Sequence, residues 1–125
     1  MANDNVELLQ GAYEAFGRGD IPAVMEVFAD DIDWSVAEVL PQGMRVRGKD
    51  EVGGFFQRLG DAWSNLKLDI DAFVAEGDRV CVIGQASGTH DGADTGYGFV
   101  HSWTMRDGAA VGFHEYADPA PELLS

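Results

Sequence analysis

Cysteine is nearly missing from this chain, positive charge is scarce, and no long apolar run occurs. The 125 residues include one cysteine, Cys81, so no internal disulfide can brace the fold. Its setting in Val80-Cys81-Val82-Ile83 predicts a buried strand position rather than a reactive thiol. Eight Lys and Arg stand against 22 Asp and Glu, a formal net charge of −14. Such a surface repels the phosphates of nucleic acid and of anionic membranes, so neither is expected as a partner. No stretch approaches the roughly 20 apolar residues of a membrane helix. The start, Met1-Ala2-Asn3-Asp4-Asn5, has no basic region leading into an apolar run, and a soluble, cytoplasmic protein is expected. His, Cys and carboxylates do not cluster at ligand spacing within one element, so no metal is expected. The groups Asp30, Asp31 and Asp33, Asp69 and Asp71, and Asp91 with Asp94 lack the ligand count of a calcium loop and are read as solvated faces.

What is present is enough for one core. With 46% hydrophobic and 24% charged residues, a single domain over residues 1–125 is expected, burying about two-thirds of the surface that its unfolded chain exposes. Asp4 and Glu7 have capping-box spacing, and Val6, Leu9, Tyr13 and Phe16 recur at three and four residues, predicting a helix that Gly17 and Gly19 end. A second helix starts with Asp20 as N-cap and Pro22 in its first turn, carries Val24, Val27 and Phe28 inward, and ends near Ala29-Asp30. Ile32 to Val36 alternates as a strand. After a loop containing Pro41 and Gly43, Val52, Phe56, Leu59 and Trp63 repeat at helical spacing between Lys49 and Ser64. Gly53, Gly54 and Gly60 weaken that helix or admit close packing. From Leu66 the period changes to two: Leu66 to Asp71, a turn at Glu76-Gly77-Asp78, then Arg79 to Ser87, Tyr97 to Arg106 and Ala109 to Tyr116. The tail Asp118-Pro119-Ala120-Pro121 is expected to be loosely held. The sum is an α+β domain, three N-terminal helices covering the apolar face of a long antiparallel sheet.

Chemistry concentrates in the last two strands. If Phe99, Trp103, Val111 and Phe113 mark one inward face, alternation puts His101 and Glu115 there too, where an ionisable group is costly unless paired or used. The connecting turn decides the register. A two-residue Asp107-Gly108 turn pairs Arg106 with Ala109, sets His101 opposite His114 and sends Glu115 to the other face. A three-residue Arg106-Asp107-Gly108 loop, with Gly108 left-handed in a bulge, pairs Met105 with Ala109, His101 with Phe113 and Phe99 with Glu115. Only the second makes the aromatic faces coincide, and it is the register expected. His101 and Glu115 are then diagonal neighbours with Cβ atoms roughly 7–8 Å apart. An imidazole titrates near neutral pH and an apolar pocket pushes a carboxylic acid up towards the same range, so such a pair can move a proton. The competing role is structural, each satisfying the other's hydrogen bonds in a core or in a pocket that only binds. His114 alternates outward and His90 lies in the loop Gly88-Thr89-His90-Asp91-Gly92; neither is expected to act.

Several short motifs follow one another along nearly the whole chain: Tyr13-Glu14-Ala15-Phe16 before Gly19-Asp20, Phe28-Ala29-Asp30-Asp31 with Trp34 after it, Arg47-Gly48-Lys49-Asp50, Ala75-Glu76-Gly77-Asp78-Arg79-Val80, and Arg106-Asp107-Gly108 before the last strand. In this order they resemble the nuclear-transport-factor-2-like superfamily, and within it the SnoaL-like branch that contains polyketide cyclases. The resemblance implies a cystatin-like α+β roll, a strongly curved antiparallel sheet whose helices close a conical cavity, packed as a homodimer through the sheet. In the ketosteroid isomerases of that superfamily the oxyanion donors are a first-helix tyrosine and a protonated aspartate, and the base is an aspartate after the first strand. Those positions fall on Ala12, His101 and Val36, which disfavours that chemistry, although Tyr13 and Glu38 are close in sequence. The Asp-Arg-Asp arrangement of the epoxide-hydrolase branch fits a histidine at 101 no better. SnoaL-type cyclases are more similar, with a histidine on the penultimate strand and an acid/base aspartate fourteen residues later, the spacing of His101 and Glu115.

The activity this implies is that of a cofactor-independent cyclase, isomerase or dehydratase acting on a hydrophobic carbonyl or polyketide-like compound. Glu115 would be proton donor or acceptor, and His101 would orient it or share the proton. Glu115→Gln and His101→Ala should then abolish turnover with the melting temperature nearly unchanged. The alternative is a non-catalytic small-molecule binder or accessory dimer module using the same pocket. Tyr13, Trp34, Phe56, Trp63, Phe99, Trp103 and Phe113 are the candidate walls for a flat apolar ligand, with core packing the competing role of each. One decoy is set aside. Gly43-Met44-Arg45-Val46-Arg47-Gly48-Lys49-Asp50 nearly spells a phosphate-binding loop, but Asp50 stands where a Ser or Thr would ligate magnesium, and no buried strand leads into it.

Overall fold

The computed structural model describes residues 4–124. Met1, Ala2 and Asn3, with which the leader reading began, lie outside them. Helix α1, Asp4–Gly17, buries Leu9, Ala12 and Ala15 and leans Tyr13 and Phe16 on the same core. Helix α2, Ile21–Met25, starts as its sequence dictates: the Asp20 carboxylate accepts from the Ala23 N–H at 3.2 Å, and Pro22 occupies the first turn. It stops sooner than the apolar spacing suggested. Ala110 donates its N–H to the Val27 carbonyl at 2.8 Å, and Phe28 opens strand β1, Phe28–Val36, so the sheet claims Phe28, Ala29 and Asp30, which local pattern assigned to the helix.

A second strand, β2, Met44–Arg47, follows where a loop was expected. Only Met44 and Val46 of its four residues turn inward, too few to show a period. Helix α3, Lys49–Ala62, comes next, then β3, Ser64–Glu76, β4, Arg79–His90, β5, Ala93–Arg106, and β6, Ala109–Pro119. His90 therefore ends a strand rather than lying in a loop. The Gly53, Gly54 and Gly60 positions of α3 are open, with nothing nearer than the Met25 methyl at 3.9 Å, so close packing does not demand glycine there. The tail is held: Ala120 donates to the Gly96 carbonyl at 3.0 Å, and Pro121–Leu124 closes the described chain as a short 3-10 turn.

The six strands form one sheet in the order β2-β1-β6-β5-β4-β3, with β1 parallel to β6 and every other pair antiparallel. Irregularities in β1, β3 and β6 add twist and bend the sheet around its helical cover. This is the α+β roll anticipated above. Cys81 is only half-buried, because Val80 and Val82 take the two inward positions on either side of it. Among the described residues, no helix is long and apolar enough to cross a membrane.

The β5–β6 hairpin follows neither register read from the sequence. Asp107 and Gly108, at φ 53° and 78°, make a two-residue turn that pairs Arg106 with Ala109 and Met105 with Ala110. The register then shifts, so that Thr104 pairs with Gly112, Trp103 with Phe113 and His101 with Glu115. That turn alone would send Glu115 outward; the extra residue at Val111 brings it back. Ala110, not Val111, takes the buried position before Phe113. Relative to the three-residue loop the partners slip by two residues, an even number, so the faces survive while the pairing changes. Glu115 lies directly across from His101 instead of Phe99.

Candidate active site

Across the concave face, Val36, Glu115, His101 and Val82 form one row on β1, β6, β5 and β4. Two ionisable groups thus interrupt an apolar row, with His101 6% and Glu115 4% exposed. Val36, the position of the isomerases' base, has Glu115 as its neighbour across the β1–β6 pair, so the carboxylate arrives from the adjoining strand.

The pair is closed from above by α1. Tyr13 brings its hydroxyl to 2.5 Å from His101 Nδ1, while His101 Nε2 is 2.6 Å from Glu115 Oε2. Trp103 Nε1 donates to the Tyr13 hydroxyl at 3.0 Å. These contacts set a direction. An indole N–H can only donate, so the Tyr13 oxygen accepts from Trp103, and the Tyr13 proton is placed to go to His101 Nδ1. In that arrangement His101 carries a hydrogen on Nε2 and donates it to Glu115 Oε2. This assignment gives every donor in the chain an acceptor. Phe99 stacks flat on the imidazole, ring centroids 4.0 Å apart, and fixes its plane.

A cavity of about 70 Å³, in which the centres of water molecules can move, lies between this relay and the helices. A space of roughly 10–15 Å³ on that measure holds one water, so there is room for a small organic molecule. Tyr13, Trp34, Phe56, Trp103 and Phe113 border it, as do His101 and Glu115. Trp63 and Phe99 do not: Phe99 lies against the imidazole, and Trp63 is drawn aside by its indole hydrogen bond to Gln42, its ring packed close to the backbone of Gly88. Gln42 and Tyr97 are wall residues the sequence analysis missed. Tyr97 shares the inward parity of Phe99, His101 and Trp103 on β5 and was open to prediction; Gln42, on a loop between Pro41 and Gly43, carries no local signal.

Burial pushes the Tyr13 phenol well above its ordinary value; the Trp103 hydrogen bond opposes this and the Glu115 charge adds to it. Tyr97 is raised as well, by burial first and then by Glu115, against the hydrogen bond from Gln42. Both phenols hold their protons in the fold at a pH where the unfolded chain has released them. Stability is therefore complete below about pH 10 and falls above it, by about 1.4 kcal/mol per pH unit for each tyrosine. Urea unfolding at about pH 9 and about pH 11 should show this loss, and Tyr13→Phe should reduce it by one tyrosine's share. Equal alkaline slopes in the two proteins would count against the buried phenol. Trp34 Nε1 is buried without a hydrogen-bond partner among the described residues, its ring packed between Phe55 and Phe113. His114 faces outward against Tyr116, and His90 Nδ1 lies 2.7 Å from the Ala62 carbonyl. Among the described residues, no group of three His, Cys, Asp or Glu side chains is placed to hold a metal ion.

An α+β roll with a hollow concave face is the nuclear-transport-factor-2-like fold. The SnoaL-like domain matches residues 9–113, and the chain belongs to that family. A nuclear-transport-factor-2-like protein of unknown function from Burkholderia pseudomallei is 30% identical, with 93% of this chain and 92% of that one aligned at a TM-score of 0.87. TerC, crystallised with polyporic acid, is 28% identical over 93% of this chain and 92% of its own, TM-score 0.84. A proposed polyketide cyclase from Xanthomonas campestris is 27% identical over 90% and 89%, TM-score 0.78. No curated protein sequence matches the chain.

Proposed function

We propose that this protein is a cofactor-independent acid/base enzyme of the cyclase, isomerase or dehydratase type, acting on a small hydrophobic carbonyl compound. The observation that carries the proposal is the Trp103–Tyr13–His101–Glu115 relay, which ends on a carboxylate bordering a mostly apolar cavity. With Oε2 held by the imidazole, the other oxygen of Glu115 is free to take a proton from a C–H next to the carbonyl. The C–H bond breaks and an O–H bond forms on Glu115. The released electron pair becomes a C=C bond, and the carbonyl π pair moves onto oxygen. Returning the proton to a different atom isomerises the substrate; attack of the new enolate carbon on a second carbonyl closes a ring. His101 steadies the carboxylate through each state, and the aromatic walls exclude water. Similarity to TerC, which holds a small organic molecule, supports a ligand of that kind here.

The test is exchange of the hydrogens next to the carbonyl of 1-tetralone, followed by proton NMR in deuterium oxide. Protein-dependent exchange is expected. Saturable binding without exchange would favour the non-catalytic binding module instead.

The dimer expected from the family resemblance is assigned to the outer sheet face. There Ile83, Val100 and Tyr116 form one cross-strand row, with Ile83 38% and Tyr116 56% exposed. Light scattering should give twice the chain mass of 13.5 kDa, and Ile83→Asp should return it to the monomer value. A wild-type protein that stays monomeric at high concentration would end that assignment.

A further inference from the structure

A second directed chain of hydrogen bonds reaches the cavity wall. Trp63 Nε1 donates to Gln42 Oε1 at 2.9 Å, and Gln42 Nε2 donates to the Tyr97 hydroxyl at 3.0 Å. As in the first chain, an indole that can only donate sets the polarity. It forces the Gln42 carbonyl oxygen towards Trp63 and so turns the amide N–H towards Tyr97. Gln42 is fully buried and Tyr97 is 6% exposed, and both border the cavity.

The two chains differ at their ends. The Tyr13 hydroxyl has a His101 ring nitrogen beside it, whereas Gln42 turns its amide N–H to Tyr97 and the Trp63 indole can only donate, so neither takes the proton of Tyr97. That O–H is therefore available to whatever fills the cavity. We propose that the Tyr97 hydroxyl, held by Gln42 and Trp63, is the hydrogen-bond donor for a carbonyl oxygen of the ligand, so that the ligand is a ketone rather than a plain hydrocarbon.

This deepens the acid/base reading and rests on it for what happens in turnover, although not for binding. While Glu115 withdraws the neighbouring proton, negative charge gathers on the carbonyl oxygen, and a donor already aimed there becomes worth more as the charge develops. The proton of Tyr97 stays on Tyr97 throughout. The ligand lies with its oxygen at Tyr97, its acidic C–H at Glu115 and its flat faces against Trp34, Phe56 and Phe113.

The experiment compares 1-tetralone with tetralin, a hydrocarbon of nearly the same shape, by calorimetry or competition on wild-type protein and on Tyr97→Phe. Wild-type protein should bind the ketone about tenfold more tightly than the hydrocarbon, and Tyr97→Phe should bind the two alike. Infrared spectroscopy of 1-tetralone bound to wild-type protein gives a second readout, in which the carbonyl stretch should lie below its position in cyclohexane. A ketone preference that survives Tyr97→Phe, an unshifted carbonyl band, or failure of both probes to bind would each overturn the proposal. Its failure is separable from that of the acid/base reading. A Tyr97-dependent preference without hydrogen exchange sinks only the latter, and exchange with a preference indifferent to Tyr97 sinks only the former.

Discussion

Glu115→Gln is expected to slow hydrogen exchange in 1-tetralone by about 10²–10⁴-fold, the usual contribution of a positioned general base. Glutamine has nearly the same volume, and its amide oxygen can still accept from His101 Nε2, so the relay, the cavity and the fold persist. The charge-assisted bond weakens, yet burying a neutral amide also avoids the desolvation of a carboxylate, and the two effects oppose each other. Stability should change by no more than about 1.5 kcal/mol, measured by urea unfolding. A Gln variant exchanging at the wild-type rate would remove Glu115 from the chemistry.

His101→Ala should behave differently and lose about 3–5 kcal/mol of stability in the same unfolding experiment. The imidazole fills space against Phe99 at a ring separation of 4.0 Å and contacts Tyr13 at one nitrogen and Glu115 at the other. Its removal opens a void and takes from Tyr13 and Glu115 the partner that both share in a largely apolar interior. Strand parity alone suggests a melting temperature nearly unchanged in this variant; the packing and bonding of the imidazole oppose that. On the order of 10 °C or more should be lost. A melting temperature equal to the wild type would show that His101 is not packed and bonded as described.

The two candidate catalytic residues were legible because strand alternation is a local rule. Phe99, His101 and Trp103 share parity, and so do Phe113 and Glu115, whatever the turn does. The register was not legible. A tight turn and a downstream bulge compete with a longer loop, and both solutions bring the same faces inward; they differ by two residues of slip, which parity cannot detect. The α2 boundary failed for a related reason, since Val27 and Phe28 suit a helix stripe and a strand equally, and only the distant β6 backbone decides between them.

The wall residues show the same division. Trp34, Phe56, Trp103 and Phe113 were found from apolar spacing, which also nominated Trp63 and Phe99, because hydrophobicity does not distinguish a side chain facing a hollow from one behind it. Tyr13 was named as a wall, but its hydrogen bond to His101, across 88 positions of chain, has no trace in either local segment.

By itself the sequence determined the longer elements, the inward side of His101 and Glu115, the acidic surface and the family to which the chain belongs. Those properties come from period, composition and motif order, which are written within a few residues of one another. The tertiary structure alone decided that Glu115 lies opposite His101, that Tyr13 and Trp103 join them in one hydrogen-bonded chain, and that Gln42 and Tyr97 complete the cavity. Such contacts depend on how a bulge offsets two strands and where a helix lands on a curved sheet, and those geometries exist only once the whole chain has closed on itself.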